Sequence, residues 1–75
     1  MLTVIELIKK ISVEGRRCLA ATISDEDILD ILAQDENKFV RAAAIANMAT
    51  RPETVKCAKD DDEYVVRCAA AKRNL

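Results

Sequence analysis

Hydrophobic residues recur at helical spacing in three short segments of this 75-residue chain. The first has an apolar face made of Val4, Ile5, Leu7, Ile8 and Ile11. The second has one made of Ile28, Leu29, Ile31 and Leu32, and the shorter third has Val55 and Ala58. Charged residues occupy the opposite positions, so each segment is predicted to be an amphipathic helix.

A hydroxyl residue lies three positions before an acid at the start of each segment, at Thr3–Glu6, Ser24–Asp27 and Thr50–Glu53. In this arrangement the hydroxyl caps the helix and the acid bonds back to the backbone. The sequence therefore predicts helix starts capped by Thr3, Ser24 and Thr50.

Longer helices are predicted between these segments. One runs from about residue 36 to 49 and another from about 62 to 73, each opened by acids that suit the positive end of the helix dipole. A weaker counterpart runs from Val13 to about Ile23, with Gly15 in its first turn. The pattern as a whole predicts an all-α protein of about six helical segments.

The segment at residues 35–44 returns 26 positions later at residues 61–70. This register pairs Asp35 with Asp61 and Arg41 with Arg67, whereas Gly15 falls where Arg41 stands. A period of this size predicts stacked helical repeats whose terminal unit is atypical. The chain is interpreted as one domain, residues 1–75, with approximate units 3–23, 24–49 and 50–75.

The segments 32–35, 40–47 and 50–53, together with Asp61 and the pair Val66-Arg67, resemble two families of helical repeat, the HEAT-like and leucine-rich-repeat-variant proteins. The resemblance covers roughly residues 16 to 75. It implies a short right-handed α-solenoid of about three two-helix repeats. Members of those families mostly bind proteins, some bind nucleic acid, and the repeat itself is rarely catalytic.

Composition favours assembly over catalysis. The chain is 51% hydrophobic and 33% charged, with one Gly and one Pro, which is typical of a compact helical protein. A chain this short hides only about 60% of its unfolded surface, so a partner would help to stabilise it. The net charge of -1 lacks the strong basic excess of most nucleic-acid-binding domains.

The chemistry-bearing residues are few. No His is present, no Gly-rich phosphate loop is found, and Cys18, Cys57 and Cys68 match no zinc spacing, so we expect no enzyme, metal or cofactor. The three thiols are expected to be free and mostly buried. The first residues match neither a signal peptide nor a membrane span, which favours a reducing cytoplasm.

The arginines have two interpretations. Arg41 and Arg67 would pair inside the fold with Asp35 and Asp61, which can also cap helix starts. Alternatively, a surface stripe would bind a partner protein or nucleic acid through Arg16, Arg17, Lys38, Arg41 and Arg67. Tyr64 is either an exposed interface anchor or partly buried against the preceding turn.

Apolar residues near both ends predict an oligomer interface, which consists of Val4, Leu7, Ile8, Ile11, Ala71 and Leu75. We expect a homodimer or a tight complex with a larger protein. The leading functional hypothesis is a non-catalytic protein–protein interaction module, a small adaptor or inhibitor. The alternatives are a helical-repeat protein that binds nucleic acid and a purely structural oligomer.

Overall fold

The computed structural model describes residues 2–75, which form six α-helices and no strand. In chain order these are α1 (Val4–Lys9), α2 (Val13–Thr22), α3 (Glu26–Leu32), α4 (Lys38–Ala46), α5 (Pro52–Ala58) and α6 (Tyr64–Lys72). The prediction of an all-α chain with about six helical segments is confirmed. The molecule measures 38 × 20 × 18 Å, and its radius of gyration is 11.4 Å.

The start of α1 has the predicted capping box. The Glu6 backbone N–H donates to the Thr3 hydroxyl at 3.2 Å, and the Thr3 backbone N–H donates to the Glu6 carboxylate at 3.2 Å. The local motif satisfies backbone donors that lack partners within the helix.

The starts of α3 and α5 differ from the prediction. Asp25, not Ser24, caps α3, and its carboxylate accepts the N–H groups of Asp27 and Ile28. Helix α5 begins at Pro52 without a side-chain cap. Thr50 is instead buried, and its hydroxyl donates to the Ala44 carbonyl, one of the α4 carbonyls near the helix end that need outside donors.

Helices α4 and α6 begin two residues later than predicted. Asn37 caps α4 by accepting the N–H groups of Phe39 and Val40. Asp35 and Asp61 are not helix caps, because each lies in the preceding loop and accepts the N–H two residues on, at 2.9 Å. The two aspartates thereby shape matching loops before α4 and α6.

Helix α4 packs against both α2 and α6, while α3 and α5 pack behind α4 and α6. The core consists of small and medium residues, with Leu29, Leu32, Val40, Ile45, Val55 and Val66 the largest fully buried apolar side chains and Ala20, Ala44 and Ala70 between them. Alanines at these positions leave room for the helices to approach closely. Ile8 belongs to this core, so its assignment to an exposed oligomer interface was wrong.

Candidate functional site

Two arginine–aspartate pairs link successive parts of the chain. Arg16 donates from Nε and Nη2 to the Asp35 carboxylate at 2.8 and 3.3 Å. Arg41 donates from the same two nitrogens to the Asp61 carboxylate at 3.1 and 3.2 Å. Both are forked contacts of the kind that a guanidinium makes with a carboxylate. We call them the Arg16–Asp35 rung and the Arg41–Asp61 rung.

The remaining guanidinium nitrogen completes the shared pattern. Nη1 of Arg16 donates to the Ile11 carbonyl at 2.6 Å, and Nη1 of Arg41 donates to the Asp35 carbonyl at 2.8 Å. Arg16 is therefore the structural counterpart of Arg41, although it lies 25 residues before it in the sequence. The register of 26 pointed to Gly15, so the spacing of 25 between Arg16 and Arg41 concealed this rung.

Burial separates these arginines from the surface. The side chains of Arg16 and Asp35 are 9% and 10% exposed, and those of Arg41 and Asp61 are 16% and 17% exposed. Burial raises the pKa of Asp61, but the Arg41 and Glu63 hydrogen bonds and the Arg41 and Arg67 charges outweigh it, so the pKa is lowered. Arg16 and Arg41 are thus occupied within the fold, and we assign them a structural role.

A second pair of contacts links the helix ends. The Asn47 side-chain amide donates to the carbonyls of Ala20 and Ile23 at 2.9 and 2.7 Å. Arg73, 26 residues later, donates from Nη1 to the carbonyls of Ile45 and Asn47 at 2.9 and 2.7 Å. Sequence reasoning missed both residues because Asn and Arg at one register position do not look alike.

A third polar cluster joins α3 to α5. Arg51 pairs with Asp27 at 2.9 Å, with Asp30, and more loosely with Glu26 at 3.7 Å. The hydrogen bonds to Asp27 and Asp30 raise the pKa of the Arg51 guanidinium. Thr54 adds a hydroxyl hydrogen bond to Asp30 at 2.6 Å. The acids of α3 thus hold the start of α5 in place.

Arg17 and Lys38 remain at the surface, and both lie close to the Phe39 ring. The Arg17 guanidinium carbon lies 5.7 Å from the ring centroid and the Lys38 ammonium lies 5.5 Å from it. Phe39 is 46% exposed. Lys38 also lies 3.5 Å from the Glu63 carboxylate, which partly neutralises it. Cations at this distance from an exposed ring make a mixed aromatic and basic surface.

Tyr64 and Arg67 form a similar pair on α6. Tyr64 is 73% exposed, so the exposed interpretation is correct and partial burial is not seen. The Arg67 guanidinium carbon lies 5.9 Å from the Tyr64 ring centroid. Hydrogen bonding with the Cys68 thiol, one turn along the helix, is the main cause that raises the pKa of the Tyr64 phenol.

A groove of about 530 Å³ lies along α4 and α6, and we call it the α4/α6 groove. Its half-buried floor consists of small apolar side chains from both helices, Ala42, Ala43, Val65 and Ala69. Phe39 and Met48 stand at its edges, and Met48 is 80% exposed. Arg17, Lys72 and Arg73 add positive charge. The groove is therefore apolar at its floor and cationic at its rim.

The prediction that the cysteines are buried was wrong. Cys18 and Cys57 are exposed and Cys68 is partly exposed, and all three are free. Alanine and valine take the buried positions of the same helices, as Ala20, Val55 and Ala70 show. Across residues 2–75, no group of three or more Cys, Asp or Glu side chains is placed to hold a metal ion. No helix in this part of the chain has the length and hydropathy needed to cross a membrane.

No family model, curated protein or solved structure matches the chain. The resemblance to HEAT-like and leucine-rich-repeat-variant proteins therefore stays a prediction. The chain itself has two internal rungs and an exposed aromatic and basic side.

Proposed function

We propose that this chain is a non-catalytic protein-interaction module built as a short right-handed solenoid of three two-helix units, α1–α2, α3–α4 and α5–α6. The matching rungs support the repeat, because Arg16–Asp35 and Arg41–Asp61 join successive units in the same way. In a solenoid each unit contacts mainly its neighbours, which agrees with α4 packing against both α2 and α6.

The observation that carries the proposal is the α4/α6 groove. Phe39 and Met48 are large apolar side chains that the fold leaves in solvent, and such residues are frequent anchors of protein interfaces. Small floor residues leave room for side chains of an incoming helix or extended segment. The basic rim favours an incoming segment that carries acidic residues. The partner is therefore an amphipathic segment that carries both apolar and acidic residues.

Nucleic-acid binding has less support. Of the five basic residues in the predicted stripe, Arg16 and Arg41 are paired within the rungs and Lys38 lies close to Glu63. Arg17 and Arg67 are what remains of it, on a chain whose net charge is -1. Binding to a DNA or RNA oligonucleotide that weakens steeply with added salt would favour this alternative.

Self-association and location complete the proposal. The apolar side of α1 leaves Val4, Leu7 and Ile11 exposed, and we assign it to a homodimer interface. Ala71 and Leu75, which were predicted to belong to the same interface, are also exposed, but they lie at the other end of the chain from α1. Free cysteines at the surface suit a reducing compartment and support the proposal of a cytoplasmic location.

The groove is tested by binding measurements on matched variants. Proteins retained from lysate by the immobilised chain are identified by mass spectrometry, and the affinity of each purified candidate is measured by calorimetry. We expect the double variant Phe39→Ser with Met48→Ser to weaken binding at least tenfold. Val13→Ser, another exposed apolar residue but outside the groove, is the control. If the unmodified chain, the double variant and Val13→Ser bind every candidate with equal affinity, the assignment of the groove is refuted.

A further inference from the structure

Three residues on one face of α4 contact residues between 61 and 73. Lys38 meets Glu63 at 3.5 Å, and Arg41 meets Asp61 in the second rung. One turn further along, Ile45 is 1% exposed and its carbonyl accepts the Arg73 guanidinium. The unit α5–α6 thus supplies carboxylates at the start of this face and a guanidinium near its end.

The same three positions on α6 are Tyr64, Arg67 and Ala71, and all are exposed. We call them the α6 outer face. They lie on a different side of α6 from the groove residues Val65 and Ala69, and Cys68 lies between the two sides. This face has the residue spacing of the covered face of α4 but no counterpart to Asp61 or Glu63 against it within residues 2–75.

Arg67 has half of the rung already formed. Its Nη1 donates to the Asp61 carbonyl at 2.7 Å, as Nη1 of Arg41 does to the Asp35 carbonyl at 2.8 Å. No carboxylate of residues 2–75 lies within ion-pair distance of Arg67, and its Nε and Nη2 make no hydrogen bond there. In both rungs these two nitrogens bind an aspartate, so the guanidinium is oriented for a carboxylate.

We propose that the α6 outer face binds an acidic helical segment of a partner protein, whose Asp or Glu carboxylate accepts the Nε and Nη2 hydrogens of Arg67. The apolar side of that segment packs against Ala71, and Tyr64 borders the contact. The two internal rungs define this geometry, so the proposal does not depend on the α4/α6 groove, and the two assignments fail or hold separately.

A second copy of this chain is a poor occupant. The rung aspartates Asp35 and Asp61 each stand three residues before the helix that follows them, and the equivalent residue before α2 is Lys10. Head-to-tail stacking of two copies would bring this lysine toward Arg67 in place of an acid. Like charges at such a contact oppose association, so the charge pattern favours a different, acidic partner.

A tethered acidic unit tests the face. A copy of residues 50–75 is added after Leu75, which raises its effective concentration at α6. The copy carries Tyr64→Phe, so that Tyr64 of the original chain stays the only tyrosine. We expect the acrylamide quenching constant of Tyr64 to fall at least twofold. Asp61→Asn within the copy, or Arg67→Gln in the original chain, should each restore most of the lost quenching. The two substitutions together should restore no more than either one alone.

Each other outcome counts against the proposal. Unchanged quenching, or a copy that circular dichroism shows to be unfolded, means that the face does not order an acidic helical unit. A fall that both substitutions leave intact means that no carboxylate is bound by Arg67. In the 75-residue protein, quenching should be independent of concentration. A fall on concentration would identify a second copy as the occupant and overturn the assignment to a different partner.

Discussion

Replacing Arg41 with glutamine should destabilise the protein strongly, whereas the same change at Lys38 should have little effect. Both residues lie in the first turn or so of α4 and both are cations close to a carboxylate. They differ in burial. The side chain of Arg41 is largely buried with a forked contact, whereas that of Lys38 is 46% exposed with a single 3.5 Å contact.

The magnitude follows from the contacts that are lost. Arg41→Gln removes two bonds to the Asp61 carboxylate and the Nη1 bonds to the carbonyls of Asp35 and Glu36. Hydrogen bonds to charged groups contribute about 1.5–3 kcal/mol. Breaking a fully buried pair costs about 3–5 kcal/mol. Since Asp61 keeps the Glu63 N–H and some solvent, we expect a loss of about 2–3 kcal/mol in the free energy of unfolding.

Circular dichroism at pH 7 measures both variants, with urea unfolding giving the free energy of unfolding and thermal unfolding giving Tm. In a domain of this size 1 kcal/mol shifts Tm by about 4–8 °C, so Arg41→Gln should lower Tm by about 10–20 °C. Lys38→Gln should cost less than about 1 kcal/mol, as exposed pairs do. Arg41→Lys should be intermediate, because it keeps the charge without the fork.

Equal stabilities of Arg41→Gln and Lys38→Gln would refute the reasoning. That result would mean that the Arg41–Asp61 rung contributes no more than a surface pair. Arg41 would then return to the set of residues available for a partner.

Three further predictions follow from the same contacts. The pKa of Asp61 is lower in the folded than in the unfolded protein, so its ionisation stabilises the fold above the unfolded pKa of about 3.9, and this contribution is lost as pH falls through the folded pKa. Asp61→Asn should therefore flatten the pH dependence of the unfolding free energy below about pH 4. An unaltered profile would contradict this prediction. Asn47→Ala should cost about 1–2 kcal/mol in urea unfolding, because two carbonyls lose their donor, whereas Gln34→Ala, at an exposed amide whose side chain makes no hydrogen bond within residues 2–75, should cost well under 1 kcal/mol; similar losses would argue against the helix-end contact. In native-state labelling with a bulky thiol reagent, Cys18 and Cys57 should react faster than Cys68, and protection of all three would restore the buried assignment.

The helices were largely predictable because they depend on local chemistry. Apolar spacing placed α1, α3 and α5, and the Thr3–Glu6 capping box forms as the motif implies. Helix starts were less certain, since a serine and an aspartate stand side by side at Ser24 and Asp25. Which of the two caps the helix depends on the backbone angle at which the chain enters it, and that angle is set by packing.

The rungs were predictable in kind but not in detail. The repeated Asp35 and Asp61 indicated pairing with arginine, and the structure has such contacts. The one-residue offset that makes Arg16 a rung residue depends on element lengths between α2 and α4. Three residues separate α2 from α3 whereas five separate α4 from α5, and α2 is one residue longer than α4. No residue type signals that difference.

Burial was the least predictable property. Ile8 and the three cysteines were assigned to the wrong side because a helix of six to ten residues has an apolar stripe too short to fix its orientation. Which side faces inward depends on the neighbouring helices. Phe39 and Met48 were missed as groove residues for the same reason, since their exposure follows from the path of α6 along α4.

The central claim is that the arginines divide into rungs inside the fold and cations open to a partner. Hydrogen exchange of the arginine Nε–H groups, observed by ¹⁵N NMR at low temperature and at a mildly acidic pH at which Asp61 stays ionised, tests this division residue by residue. We predict slow exchange for Arg16 and Arg41, whose Nε–H groups are bonded to Asp35 and Asp61, and exchange at the solvent rate for Arg17 and Arg67. Fast exchange at Arg16 and Arg41, or protection of Arg67 in the isolated protein, would contradict the account.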